Sequence, residues 1–334
     1  MIKIKEDTFQ YYFYFVQERM NIFWNKYNCQ NPPWTNDEIL KIHKFTNVYR
    51  ASDRVSQYLI RDVIYKTNIS FNEEDILLRI LVFKIFNKIE TWEYIEKRVG
   101  EIRVNNFDLN QINQILLERK KQFPIFNNAY MMTGTHSLYN HLNFKHEKWL
   151  EMVRLEIVKG GVFRKILKAK SLENVYILLR DCSFIGDFLA YQYAIDFNYS
   201  PVIDFSEDSF VKAGIGAIRG IKKCFEPLGK NTFEDAIRFT QEHFEEYQNR
   251  FGYTGFKNLF GRVPTLIDLQ NCFCETDKYL RVKMPELQID NKRIKQKYKE
   301  TPSVLNLFFP PKWGINSKIK EPCLQQNMRE LTLF

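Results

Sequence analysis

Ser171-Leu-Glu-Asn-Val-Tyr-Ile-Leu-Leu-Arg180, then Asp181-Cys-Ser-Phe-Ile-Gly186, then Asp187-Phe-Leu-Ala-Tyr-Gln192 is the most informative run in the chain. Leu172, Val175, Tyr176 and Leu179 fall at i, i+3, i+4 and i+7, which is one face of an α-helix. The residues Cys182 to Gly186 end that helix, and a second one starts at Asp187 and runs to Asp196. The segment therefore reads as a helix, a tight hairpin closed by Gly186, and a helix. A hairpin of this kind can offer backbone N–H groups at a helix amino terminus to a phosphate without reading a base. An ordinary αα-corner also uses a glycine, so the motif alone does not separate the two uses.

The same helical period extends in both directions. Thr35 and Glu38 have capping-box spacing and predict a helix toward Lys44. Val55, Tyr58, Leu59 and Val63 give the next helix an apolar face, and Ile76 to Phe86 is so continuously apolar that it reads as buried on most sides. Further helices are expected over 110–122, 147–158, 232–250 and 265–280. No set of alternating strands appears, so the expected fold is all-α. After Met284 the chain changes character, with Lys292-Arg-Ile-Lys-Gln-Lys297 and Phe309-Pro-Pro-Lys-Trp313. This divides the chain into a helical domain over 1–284 and a basic tail over 285–334 lying on it.

Composition sets limits on function. The 334 residues are 45% hydrophobic and 16% aromatic, enough to bury a substantial core. Forty-nine Lys and Arg against 40 Asp and Glu leave +9, a field that favours a polyanionic partner. The amino-terminal Met1-Ile-Lys-Ile-Lys lacks the apolar core of a signal peptide, and no run is long and apolar enough to span a bilayer, so a cytoplasmic protein is expected. The cysteines at 29, 182, 224, 272, 274 and 323 are scattered, which reads as six reduced thiols. Cys272 and Cys274 supply only two ligands, so neither a metal nor another cofactor is expected.

Several chemistries are set aside. There is no GxxxxGK[ST] loop and no GxSxG elbow. Gly214-Ile-Gly216-Ala-Ile-Arg219-Gly220 misplaces the third glycine of a dinucleotide fingerprint. His136, His141 and His146 recur every five residues, a spacing that turns each away from the last on a helix, so they read as structural or surface residues.

The candidate catalytic group is Asp208, 22 residues beyond Gly186 (208 − 186), with Asp196 as a second carboxylate. Base-excising DNA glycosylases with a helix-hairpin-helix keep an aspartate at a comparable distance. An ionised carboxylate there can oppose the cationic sugar formed as an N-glycosidic bond breaks. The competing reading is that Asp208 and Ser209 cap a helix.

Five further groups of residues, in order, carry a resemblance. They are Asn47-Val-Tyr-Arg-Ala-Ser-Asp53-Arg54, Phe86-Asn-Lys-Ile-Glu90-Thr-Trp92, Phe188-Leu-Ala-Tyr-Gln192 with Asp196, Phe210 through Gly220, and Asp268-Leu-Gln with Cys274-Glu-Thr-Asp277-Lys-Tyr279. Between about Phe9 and Met284 the chain resembles the DNA base hypermodification proteins. Those include the α-glutamyl/putrescinyl-thymine pyrophosphorylases and the helical domain attached to 5-hydroxymethyluracil DNA kinases. The resemblance implies a DNA glycosylase-like helical fold, DNA as partner, phage DNA with modified pyrimidines in particular, and a monomer. It also lends a function to the Asn47, Tyr49, Arg50, Glu90, Tyr191 and Gln192 set, as a pocket for a flipped base. Gly186, Gly214, Gly216, Arg219 and Lys222, with Lys223 beside them, are the expected DNA-contacting positions, whereas Asp277 and Lys278 read as surface pairing.

Two departures from the glycosylase pattern shape the expected chemistry. The first Gly of the usual LPGVG hairpin is Phe184, and the lyase lysine two residues after the last hairpin Gly is Phe188. The resulting expectation is a monofunctional glycosylase, a hydrolase that excises a modified pyrimidine, as anti-phage relatives do. The alternatives are a transferase that substitutes a pyrophosphorylated 5-hydroxymethylpyrimidine within DNA, and a non-catalytic sensor of modified DNA.

Overall fold

The computed structural model describes residues 2–128, 132–290, 297–298 and 305–320. Among them are fourteen α-helices. They are α1 (Glu6–Tyr27), α2 (Glu38–Ile42), α3 (Arg54–Tyr58), α4 (Glu73–Phe86), α5 (Ile89–Val99), α6 (Leu109–Lys120), α7 (Lys145–Met152), α8 (Val162–Ile166), α9 (Leu172–Arg180), α10 (Asp187–Asn198), α11 (Ile215–Cys224), α12 (Phe233–Glu242), α13 (Phe244–Arg250) and α14 (Leu266–Lys283). The only extended pairings among the described residues are isolated bridges, so the fold is all-α.

The chain forms two compact units, one made of 1–53 with 211–334, the other of 54–210.

In the first unit α11 and α14 pack closely, and α1 and α12 lie against α14. Gly216 and Gly220 make that approach possible. A Cβ on Gly220 would lie 2.1 Å from the Phe273 carbonyl oxygen, and one on Gly216 would lie 2.3 Å from Cys274 Sγ in an equally crowded spot. The core beside this contact is aromatic. Tyr12 and Phe273 rings are 4.3 Å apart, Phe9 and Phe225 are 4.9 Å apart, and the Tyr12 hydroxyl donates to the Leu269 carbonyl. Each such pair adds about 0.5–1.5 kcal/mol beyond the area it buries.

Lys223 Nζ, on α11, lies 2.8 Å from the Asp277 carboxylate on α14, and Arg281 pairs with the same carboxylate. Lys223 and Asp277 are both buried, which corrects the expectation of a phosphate-contacting Lys223 and a surface Asp277. The described tail residues are held mainly by aromatic contacts. Phe309 is fully buried, Trp313 stacks on it, and Arg262 lies over the Trp313 ring. The basic run 292–296 lies outside the described residues.

The second unit is built around α4 and α10. Every residue from Asp75 to Phe86 is buried, as the apolar run predicted, and so is every residue from Leu189 to Asn198. Asn72 caps α4 by accepting from the Asp75 N–H, and Asn87 ends it in the left-handed conformation that Asn tolerates. Ser171 caps α9 by accepting from the Asn174 N–H. The segments 54–64 and 145–159 each begin as an α-helix and finish in a π-helical turn, at Leu59–Ile64 and Val153–Lys159.

Three local expectations are corrected. Asp37, not Thr35, caps α2, accepting from the Leu40 N–H. Cys29 is disulfide-bonded, whereas Cys182, Cys224, Cys272 and Cys274 are free. The helix expected over 232–250 is two, broken at His243. Among the described residues no helix is long and apolar enough to cross a membrane.

Candidate functional site

The α9–α10 hairpin turns at Phe184, not at Gly186. Phe184 has φ +67°, where a glycine would be free of strain, and Gly186 has φ −83° with open space around its α-carbon. The Phe184 ring accounts for this placement. It is buried against Trp149, Tyr139 and His136, each ring centre 5.3 Å away. Below the hairpin the Glu156 carboxylate accepts from the Ser183 N–H and from the Tyr139 hydroxyl. At the amino end of α10, Asp187 accepts from the Tyr176 hydroxyl at 2.9 Å and pairs with Arg180 Nε at 2.6 Å. A carboxylate thus occupies the helix end at which a phosphate was expected, complementing the helix dipole itself.

Past the hairpin, α10 carries the buried polar residues of the unit. Tyr191 and Gln192 are buried, and the Tyr191 hydroxyl reaches the Phe210 carbonyl at 3.4 Å. Asp196 is fully buried with its carboxylate 3.4 Å from Lys84 Nζ on α4. An ion pair removed from water carries a desolvation cost of several kcal/mol per ion, and its mutual attraction must offset that cost. The pair joins the two central helices of the unit, and it keeps Asp196 out of reach of solvent.

The loop after α10 is pinned by Asn198. Its side chain donates to the Phe205 carbonyl and accepts from the Phe205 N–H, both at 2.9 Å. The following turn places neighbouring carboxylates oppositely, with Glu207 buried and Asp208 exposed. Ser206 shapes that turn, its hydroxyl accepting from the Asp208 N–H and its carbonyl from the Ser209 hydroxyl. Asp208 stands in a turn and caps no helix. Glu207 has no signal in the sequence that distinguishes it from Asp208; the Asn198 bonds that set the loop's direction do so.

The remaining candidates divide between the units. In the first, Asn47 is committed to its own turn. Its N–H donates to Asp53, its amide donates to the Ser52 carbonyl, and its oxygen accepts from Arg19. Burial pushes the Asp53 carboxyl up to about 6, against the pull of the Asn47 N–H and the Arg19 charge. The Tyr49 hydroxyl is held by the Arg262 carbonyl and the Leu259 N–H, and burial raises its pKa. The Arg50 N–H donates to Asp268. In the second unit Glu90 is half-exposed, 3.9 Å from Arg54, while Trp92 is core beneath the Arg79 guanidinium.

Gly214, the expected contact at the start of α11, precedes that helix as its cap residue, and the Ala213 N–H before it donates to Glu234. The glycine at 216 serves packing on α14, which corrects its reading as a phosphate-approach position. Arg219 is half-buried, and Lys222 is exposed at a shallow cavity of about 430 Å³ lined by Lys5, Phe225, Asn231 and Phe233. His146 is buried, which lowers its pKa to about 4, as a structural histidine requires.

The family model described as 5-hmdU DNA kinase, helical domain, matches residues 6–289. The chain belongs to that family. A 5-hmdU DNA kinase of Bacillus phage SP10 is 26% identical over 311 residues, covering 86% of this chain and 47% of the relative. The chain thus spans about half the length of the curated relative it matches. No solved structure matches the chain. The expectation of base excision is overturned, because the relative is a kinase, a transferase, and not a hydrolase. The expected assignment as a DNA N-glycosylase falls with it.

Proposed function

We propose that this protein acts in DNA base modification, as a transferase-class component that works on a 5-hydroxymethylated pyrimidine while the base remains joined to its sugar. The observation that carries this reading is the match of residues 6–289 to the helical domain of 5-hmdU DNA kinases. The chemistry concerned lies at the exocyclic 5-methylene oxygen, which must either lose a proton to attack a donor or leave as an activated phosphate. A carboxylate suits the first task, because it can take up the hydroxyl proton as a new bond forms. Asp208 is our candidate for that role, being the carboxylate of the post-hairpin turn that reaches solvent. Asp196, sealed beside Lys84, is assigned to positioning α10.

The sequence holds no GxxxxGK[ST] loop, so the protein's own share of the reaction is placed at the base and not at a nucleotide phosphate of that type. We take its partner to be phage-type DNA carrying modified pyrimidines, met by a single chain in the cytoplasm. The test is incubation of the protein with duplex DNA containing 5-hydroxymethyluracil, with and without its 5-pyrophosphorylated form, ATP and amine nucleophiles. Enzymatic digestion to nucleosides and mass spectrometry follow. A nucleoside of altered mass supports the reading; free base with abasic sites, or unchanged DNA under every condition, overturns it.

A further inference from the structure

We infer that the exposed segment 159–170 of the second unit is the surface that receives the phosphate backbone of DNA, an inference that rests on the DNA-modifying reading above. Residues 157–172 contain Lys159, Arg164, Lys165, Lys168 and Lys170 and no acidic residue, a net +5 within sixteen positions. All five are exposed. None forms an ion pair among the described residues, in contrast to Lys66, Arg79, Lys84, Lys212, Lys223 and Arg281, each of which faces a carboxylate.

The backbone sets the direction of two of these cations, Arg164 and Lys165 on α8. The π-helical turn Val153–Lys159 ends in Gly160 and Gly161, and Gly161, at φ +73°, caps α8 in a conformation suited to glycine. Phe163 and Ile166 of α8 are fully buried, so the exposed side of the short helix is the side that carries Arg164 and Lys165. α8 packs on α9 and α4, the latter being the buried centre of its unit. The nearest preceding acidic residue, Glu156, is already engaged by Ser183 and Tyr139, and the nearest following one is Glu173. Five exposed cations within sixteen residues, none in an ion pair among the described residues, suit a polyanion such as a chain of phosphates, and each contact displaces a condensed counterion.

By comparison, the cations expected from sequence on α11 offer less. Lys223 is in an internal pair, Arg219 is half-buried, and Lys222 alone is exposed.

The test is the salt dependence of binding to a labelled duplex containing 5-hydroxymethyluracil, measured by fluorescence anisotropy between 50 and 200 mM salt. Wild type is compared with Arg164→Gln/Lys165→Gln/Lys168→Gln and with the charge-matched control Lys97→Gln/Lys120→Gln/Lys121→Gln. Circular dichroism checks that both variants fold. Three lost phosphate contacts lower the slope of log K against log salt by about 2.7, so wild type loses about 40-fold more affinity than the segment variant over that range. The control keeps the wild-type slope. A segment variant indistinguishable from wild type, or from the control, overturns the assignment while leaving the DNA-modifying reading in place. Tighter binding to RNA of the same sequence also overturns it, and a wild-type protein that binds no DNA overturns both.

Discussion

Removing the Asp196 carboxylate while keeping its shape, by Asp196→Asn, should strip Lys84 of its counter-charge at a position with almost no access to water. At 3.4 Å the attraction within the pair is about 5 kcal/mol for an effective dielectric constant near 20. Breaking one partner of a buried pair costs about 3–5 kcal/mol, because the remaining charge stays desolvated. With a urea slope of about 2–3 kcal/mol per molar, the unfolding midpoint of the second unit should fall by about 1–2 M. The double change Lys84→Met/Asp196→Leu removes both charges and fills the space with apolar atoms. It should return the stability to within about 1 kcal/mol of wild type, since a buried pair replaced by well-packed hydrophobes is often neutral or better. Far-UV circular dichroism in urea reads the wild type and both variants. If Asp196→Asn unfolds like wild type, the pair does not hold α4 to α10. If the double variant is as unstable as the single one, packing and not charge is the cause.

Gly220→Ala should destabilise the first unit by about 1–3 kcal/mol despite alanine's better helix propensity, because its Cβ would meet a backbone oxygen that cannot rotate away; a thermal melt that rises would refute the close α11–α14 contact. Asp53, raised from an ordinary 3.8 to about 6, favours its protonated form in the fold, so its contribution is fully present below about pH 4 and is lost as pH rises through 6. The loss is at most about 3 kcal/mol, and Asp53→Asn should flatten that part of the stability curve between pH 4 and 7; an unchanged pH dependence contradicts it. Asp208→Asn should abolish modification at unchanged melting temperature, and retained turnover would move the search to Asp204, an exposed carboxylate of the same loop.

The helical class, the burial of α4 and the α9–α10 hairpin were legible because they depend on residues close in sequence. What long-range contacts decide was not. α1 has aromatic residues on several faces, since it meets both α11 and α14, and so shows no single apolar stripe. The glycines of 214–220 look alike in sequence, yet only the backbone of α14 shows why Gly216 and Gly220 are small. Lys223 and Asp277 are 54 residues apart and could not be paired from local spacing. In the hairpin a rule of composition put the turn at glycine, whereas a socket of three aromatic rings let Phe184 take it. The cations of 159–170 were present in the sequence, and their lack of ion-pair partners became visible only in the fold.

The central claim is that the protein alters a hydroxymethylated pyrimidine without detaching it from DNA. Mass spectrometry of nucleosides from treated 5-hydroxymethyluracil duplex, run beside a count of abasic sites, tests it most directly. The account predicts a heavier or substituted deoxynucleoside, no rise in abasic sites, and loss of the product with Asp208→Asn. Free base accompanied by alkali-labile sites would contradict it.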